Sequence, residues 1–183
     1  ITVNSKLGEE TLFKFDIQTS EVEAIELQRK EPSQQVIGLE TEQPNYRILI
    51  VEDKLESRRL MIELLANVGF EVNEASNGRE AIELYQNWSP HLIWMDIRMP
   101  VMDGYEATRQ IKALSKVKLP IIIALTGSVF EEERSTALTK GFDDFVRKPF
   151  RAETIFTKMA EYLGVRYRYE QPQSSHTSAE DAS

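Results

Sequence analysis

The chain has 183 residues, of which 41% are hydrophobic and 28% charged, with a formal net charge of −8 and no cysteine. This composition suits one soluble domain with extensions, and it excludes disulfides, thiolate metal sites and cysteine nucleophiles. No apolar run approaches the roughly 20 residues of a membrane span, no secretory leader is visible and no basic stripe is present, so a cytoplasmic chain without membrane or nucleic-acid contact is expected.

Residues 11–17, "TLFKFDI", alternate, with Phe13, Phe15 and Ile17 on one face and Lys14 and Asp16 on the other. That period of two predicts a half-buried strand, and "SKLGEE" before it reads as a turn. Residues 18–44 are rich in Glu and Gln and read as a linker, with one or two helical turns around "VEAIELQRK". The charge is uneven: residues 1–44 hold four basic and nine acidic side chains, whereas residues 45–165 hold 16 and 18.

From Tyr46 a different pattern starts. Strands are predicted over 46–51, 70–75, 91–96, 120–125 and 143–148, and helices over 56–68, 79–87, 104–115, 130–139 and 151–163. In the first helix Leu60, Leu64 and Val68 form an apolar stripe with Met61 and Leu65 beside it, and Gly69 stands where a C-terminal cap belongs. "ILIV" and "PIIIAL" are almost continuously apolar, as strands covered on both faces are. The strict alternation predicts an α/β fold, a doubly wound parallel sheet with right-handed crossovers. Residues 166–183 end in the polar "QPQSSHTSAEDAS" and read as a flexible tail.

In such a sheet ligands bind beyond the carboxyl ends of the strands. Those ends carry Glu52 and Asp53 after the first strand, Asp96 closing the third, Thr126 after the fourth and Lys148 closing the fifth. Three convergent carboxylates repel one another unless one is protonated or a cation neutralises them. All-oxygen ligands favour a hard ion, with Mg²⁺ the natural candidate. A lysine facing the cluster favours ionised Asp96, and a hydroxyl adds one donor. The arrangement suits a transferred phosphoryl group with Asp96 as nucleophile. Trp94 is expected in the core, and His91, opening a buried strand, is expected to be structural.

At these residues the chain resembles the receiver domain of two-component signalling proteins. The resemblance covers about residues 45–165 through "ILIVED", "MDIRMPVMDG", "ALTG" and "VRKPF". It implies a flavodoxin-like five-stranded sheet of order 2-1-3-4-5. It further implies Asp96 as phosphoacceptor, Asp53 as direct metal ligand, Glu52 acting through water and the backbone carbonyl of Arg98 completing the shell. The metal would be Mg²⁺, or Mn²⁺ in its place. Lys148 would bridge to the phosphoryl group, Thr126 would turn its hydroxyl toward it, and Phe145 falls at the aromatic switch position, where many relatives carry tyrosine. The Lys148–Pro149 bond is expected to be cis. Phosphodonors would be a histidine-kinase core or a histidine phosphotransfer protein, and the family admits homodimers.

"GEETLFKF" is similar to the closing segment of the ATP-binding domain of histidine kinases, with Glu10 in place of a second glycine, and "VIGLETEQPNYRILIV" looks like a kinase-to-receiver junction. Together they imply the C-terminal part of a hybrid histidine kinase: residues 1–17 a closing hairpin, 18–44 a linker, 45–165 a receiver and 166–183 a tail. Two other readings stand beside this one. The first is a receiver-fold interaction module that is not phosphorylated. The second is another flavodoxin-like enzyme, against which "EDKLES" stands where a glycine-rich phosphate loop would be needed.

Overall fold

A computed structural model describes residues 2–5, 11–14, 35–114, 119–127 and 138–170. The chain divides into two units, Ile1–Ser33 and Gln34–Ser183. In the first, β1 (Thr2–Ser5) and β2 (Thr11–Lys14) form an antiparallel pair in which Thr2 faces Lys14 and Ser5 faces Thr11. The predicted strand over 11–17 is thus seen as far as Lys14. Its last three residues, the helical turns around 22–30 and most of the helix predicted over 130–139 lie outside the described residues.

The second unit contains β3 (Val36–Leu39), β4 (Arg47–Val51), α1 (Leu55–Ala66), β5 (Glu71–Ala75), α2 (Gly78–Trp88), β6 (Leu92–Asp96), α3 (Gly104–Leu114), β7 (Ile121–Thr126), β8 (Asp144–Arg147), α4 (Ala152–Leu163) and β9 (Tyr167–Tyr169). Five of the strands form one parallel sheet of order β5-β4-β6-β7-β8. Numbered from β4, this is 2-1-3-4-5, the doubly wound order.

The near-continuous apolar strands are explained by burial on both faces. Ile48, Ile50, Trp94, Ile123 and Leu125 pack toward Met61 and Leu65 of α1 and Phe156 and Met159 of α4. The alternating Leu49, Val51, Ile93, Met95, Ile122 and Ala124 pack toward Ala81 of α2 and Ala107 and Ile111 of α3. Each fully buried aliphatic side chain contributes about 1.5–3 kcal/mol, so this double layer fixes the sheet and the positions of its strand ends.

The stripe on α1 is shifted from its expected place. Leu60 is 66% exposed, whereas Met61, Leu65 and Val68 are buried. Apolar residues at 60–62, 64–66 and 68 leave the helix phase ambiguous, and packing against β4 and β5 chooses the 61–65–68 face. Gly69 sits at φ +113°, the left-handed conformation that a chain reversal after α1 requires.

The folded body also extends beyond the expected boundaries. The stretch read as linker supplies β3, and the stretch read as tail supplies β9; the two pair antiparallel, Leu39 opposite Tyr167 and Val36 opposite Tyr169. The reason is burial: Val36, Leu39, Val165 and Tyr167 complete the core beneath α1 and α4. The Tyr167 hydroxyl donates to the Phe156 carbonyl at 3.0 Å, and the Leu39 amide donates to the Val68 carbonyl at 3.1 Å. This clasp lies at the C-terminal end of α1 and the start of β5, the pole where the parallel strands begin.

Candidate functional site

At the opposite pole, four strand ends deliver polar residues out of an apolar core. The Glu52 amide donates to the Ala75 carbonyl at 3.1 Å, carrying the β4–β5 ladder one step past β4. The Lys148 amide donates to the Thr126 carbonyl at 2.7 Å, doing the same for β7 and β8. Asp96 closes β6 opposite Leu125. Glu52, Asp96 and Thr126 are all buried, which is rare for carboxylates without partners.

The partner is Lys148. Its ammonium donates to Glu52 Oε2 and, at 3.0 Å, to Asp96 Oδ2. The other Asp96 oxygen accepts the Arg98 amide at 3.3 Å, and Glu52 Oε1 accepts the Lys54 amide at 3.3 Å. Burial pushes the Glu52 carboxyl above its ordinary value; the Lys148 hydrogen bond opposes this and the Asp96 charge adds to it. Burial pulls the Lys148 ammonium down, but its hydrogen bonds to Glu52 and Asp96 together outweigh that and hold it above its ordinary value.

Glu52, Asp53 and Asp96 each offer an oxygen, and these atoms lie within 4.8 Å of one another. Three carboxylates against one ammonium leave the cluster short of positive charge, and an all-oxygen donor set suits a hard divalent ion. Asp53 also borders an open groove of about 510 Å³ lined by Ile97, Arg98, Met99, Pro100, Asp103 and Tyr105, which gives the acidic cluster access to solvent.

The loop after Asp96 is built to hold this geometry. The Gly104 amide donates to the Ile97 carbonyl at 2.9 Å, and a Cβ at Gly104 would sit 2.2 Å from the Asp96 carbonyl oxygen. Asp103 Oδ1 accepts the Glu106 amide at 2.8 Å and caps α3. The Lys148–Pro149 peptide is cis. Phe145, on β8 opposite Ala124, is half-buried and packs on the α3 side of the sheet, in the cluster that also takes in Met102 and Tyr105.

The structure therefore brings Glu52, Asp53, Asp96 and Lys148 together, puts Thr126 beside Lys148 through the backbone, and places Phe145 opposite Ala124, two residues before Thr126. Arg98 reaches the site through its amide. His91 is structural: its Nδ1 accepts the Arg47 amide at 2.9 Å and its ring meets Tyr46 edge-on. Trp94 is fully buried. Sequence reasoning missed Arg58, which lies against the backbone of the acidic pair; within "ESRRL" it looks like any solvated helix cation.

Residues 48–160 match the model of the response regulator receiver domain. The chain belongs to this family. The receiver domain is similar to a probable transcriptional regulator, ycf27, of Cyanophora paradoxa, with 34% identity over 72% of this chain and 53% of the relative. The chain thus spans about half the length of that relative. Among solved structures, the receiver domain resembles that of a sensor histidine kinase from Pseudomonas aeruginosa PAO1, determined with a magnesium ion coordinated in the active site cleft. The TM-score is 0.61 and the identity 30%, over 66% of this chain and 99% of that one. It also resembles a Saccharomyces cerevisiae co-crystal of the histidine phosphotransfer protein Ypd1 with the receiver domain of Ssk1. Here the TM-score is 0.62 and the identity 29%, over 65% of this chain and 89% of that one. Among the described residues no helix is long and apolar enough to cross a membrane.

Proposed function

We propose that Asp96 of this receiver domain accepts a phosphoryl group from a phosphohistidine. An oxygen of the Asp96 carboxylate attacks phosphorus, the P–N bond breaks, and the imidazole leaves as an acyl phosphate forms. The Lys148 ammonium donates to the incoming phosphoryl oxygens, and the Thr126 hydroxyl supplies a second donor. Glu52, Asp53 and Asp96 would hold Mg²⁺, or Mn²⁺, with the Arg98 carbonyl adding to the shell; when bound, the ion neutralises charge on the phosphoryl oxygens. Conversion of the Asp96 carboxylate to an acyl phosphate moves and increases the negative charge, placing it on phosphoryl oxygens that recruit Thr126 and Lys148; this biases the packing of Phe145, and so alters the surface beside β8 and α4.

The observation that carries this reading is the Lys148 ammonium joined to both Glu52 and Asp96, with Asp53 in reach of the same oxygens. Incubation with acetyl phosphate and Mg²⁺, followed by intact mass, should show one phosphoryl increment on the wild type and none on Asp96→Asn. An increment that persists in Asp96→Asn refutes the assignment. No increment on the wild type would favour the unphosphorylated interaction module.

The donor is a histidine-kinase core or a histidine phosphotransfer protein, by analogy with the yeast complex. The surrounding protein is proposed to be a hybrid histidine kinase, with residues 1–17 the closing hairpin of its ATP-binding domain. The Gly8, Thr11, Phe13, Phe15 pattern and the likeness to a sensor-kinase receiver support this. Time-resolved phosphotransfer from the candidate kinase core to this chain tests it; transfer to an unrelated receiver at the same rate would remove the support.

A further inference from the structure

Arg58 sits in the first turn of α1, where side chains lean back toward the helix N-terminus. Its guanidinium is held from two sides. Nε donates to Glu74 Oε2 on β5 at 2.7 Å. Nη1 donates to the Glu52 carbonyl at 2.7 Å and lies 3.4 Å from the Asp53 carbonyl. The side chain is only 12% exposed, although it is long and charged.

These contacts fall on the two residues whose carboxylates enter the acidic cluster, but on their backbones. With both carbonyls turned toward Arg58, the two peptide planes are fixed, and with them the directions in which the Glu52 and Asp53 side chains leave the loop. Glu74 anchors the far side of the fork to the sheet through β5, whose Ala75 carbonyl also accepts the Glu52 amide. The Nη1 contacts fall on the backbone carbonyls and not on the carboxylates, so Arg58 bears on the direction in which the two side chains leave the loop.

We infer that Arg58 is a positioning residue for the metal-binding acidic pair, orienting Glu52 and Asp53 through their carbonyls while Glu74 holds it in place. This rests on the proposed metal-assisted phosphoacceptor site. A lysine cannot serve equally, because a single ammonium cannot span Glu74 and two carbonyls as a planar fork does.

The test is Mg²⁺ titration calorimetry on the full chain as wild type, Arg58→Met, Arg58→Lys, Glu74→Gln and Asp53→Asn, each with its metal-free melting curve. Removing an outer orienting group should raise the Mg²⁺ Kd about tenfold in Arg58→Met. Arg58→Lys should recover only part of the loss, and Glu74→Gln should show a smaller rise in the same direction. The Mg²⁺ concentration for half-maximal acyl phosphate formation should rise in parallel. A role confined to stability would lower the metal-free melting temperature and leave the Kd unmoved; an unchanged Kd in a folded Arg58→Met overturns the inference. Should Arg58→Met fail to fold, unchanged Kd values in both Arg58→Lys and Glu74→Gln overturn it, and a raised value in either supports it. If Asp53→Asn abolishes binding while the Arg58 and Glu74 variants match wild type, only this inference falls. If wild type binds no Mg²⁺, the metal site and this inference fall together.

Discussion

Gly104→Ala sets two rules of protein energetics against each other. Gly104 is the first residue of α3, and alanine is favoured over glycine within helices by up to about 1 kcal/mol, so propensity alone predicts a gain. The structure predicts a loss. The added methyl would lie 2.2 Å from the Asp96 carbonyl oxygen, 3.1 Å from its carbon and 3.0 Å from Met95 Cγ. Comfortable contact needs roughly 3.5 Å, so the start of α3 and the end of β6 must part by about 1 Å. The obstacle is backbone, which cannot rotate away, so overpacking should cost about 3 kcal/mol, the upper part of its usual range. Offset by propensity, the net loss is about 2 kcal/mol, lowering Tm by roughly 6–10 °C in a body of this size. The displaced group is Asp96 itself. A shift of about 1 Å at a reacting centre can cost on the order of 100-fold in rate, so acetyl phosphate labelling should slow by that order. Thermal melting and timed intact mass read both quantities. A variant that melts at or above the wild-type temperature would refute the argument, because helix propensity would then have outweighed the clash.

Three further outcomes are expected. Lys148→Met should slow labelling of Asp96 on the order of 100-fold, the usual loss for one preorganised charge, yet tighten Mg²⁺ binding, since the ammonium occupies the oxygens that would hold the ion; weaker Mg²⁺ binding in a folded variant would contradict that competition. Tyr167→Ala should cost about 3–5 kcal/mol by urea denaturation, as truncating a buried aromatic does, although Tyr167 lies in a stretch whose sequence reads as tail; a loss below about 1 kcal/mol would show that the clasp carries no stability. Asp144→Asn removes an ion pair in which the Lys158 amine is pushed up to about 12 by its hydrogen bond to Asp144. Burial raises the Asp144 carboxyl, but the Lys158 hydrogen bond outweighs it and holds the group below its ordinary value. After allowance for solvent screening the pair is worth about 1 kcal/mol. A lowered carboxyl contributes above its unfolded value and loses that contribution as pH falls through the folded one; a raised amine contributes below its unfolded value and loses it as pH rises through about 12. The gap between wild type and Asp144→Asn should therefore be widest from roughly pH 4 to 10 and narrow on both sides, and a gap independent of pH would exclude the pair as its cause.

Much of the central sheet was legible because its signals are local and redundant. "ILIV" and "PIIIAL" bury consecutive residues on opposite faces, as does β6 between them. The convergence of Glu52, Asp96, Thr126 and Lys148 followed from parallel topology, which places every strand end on one edge. Three features were not legible, each for a different reason. The choice of Met61 over Leu60 depends on what α1 packs against, and the crowded apolar residues of 60–68 fit more than one helix phase. The β3–β9 pair joins short segments separated by nearly the whole domain, and its core-facing members, half-buried Leu39 and buried Tyr167, stand among polar residues that mask them. Arg58 acts through backbone carbonyls, which leave no mark on the amino-acid types around it. Gly104 lies between: its place in a turn could be read, but the carbonyl that forbids a side chain there belongs to Asp96, eight residues earlier.

The clasp has a topological consequence. The Glu170 amide donates to the Gln35 carbonyl at 2.9 Å, so the polypeptide arrives and departs through a single doorway. That doorway faces away from Asp96, at the pole where the parallel strands begin. A body threaded in this way behaves like a pendant on a closed loop: it can be spliced into a longer protein without separating the flanking parts. A pull on either strand of the clasp is shared with its partner before it reaches the sheet.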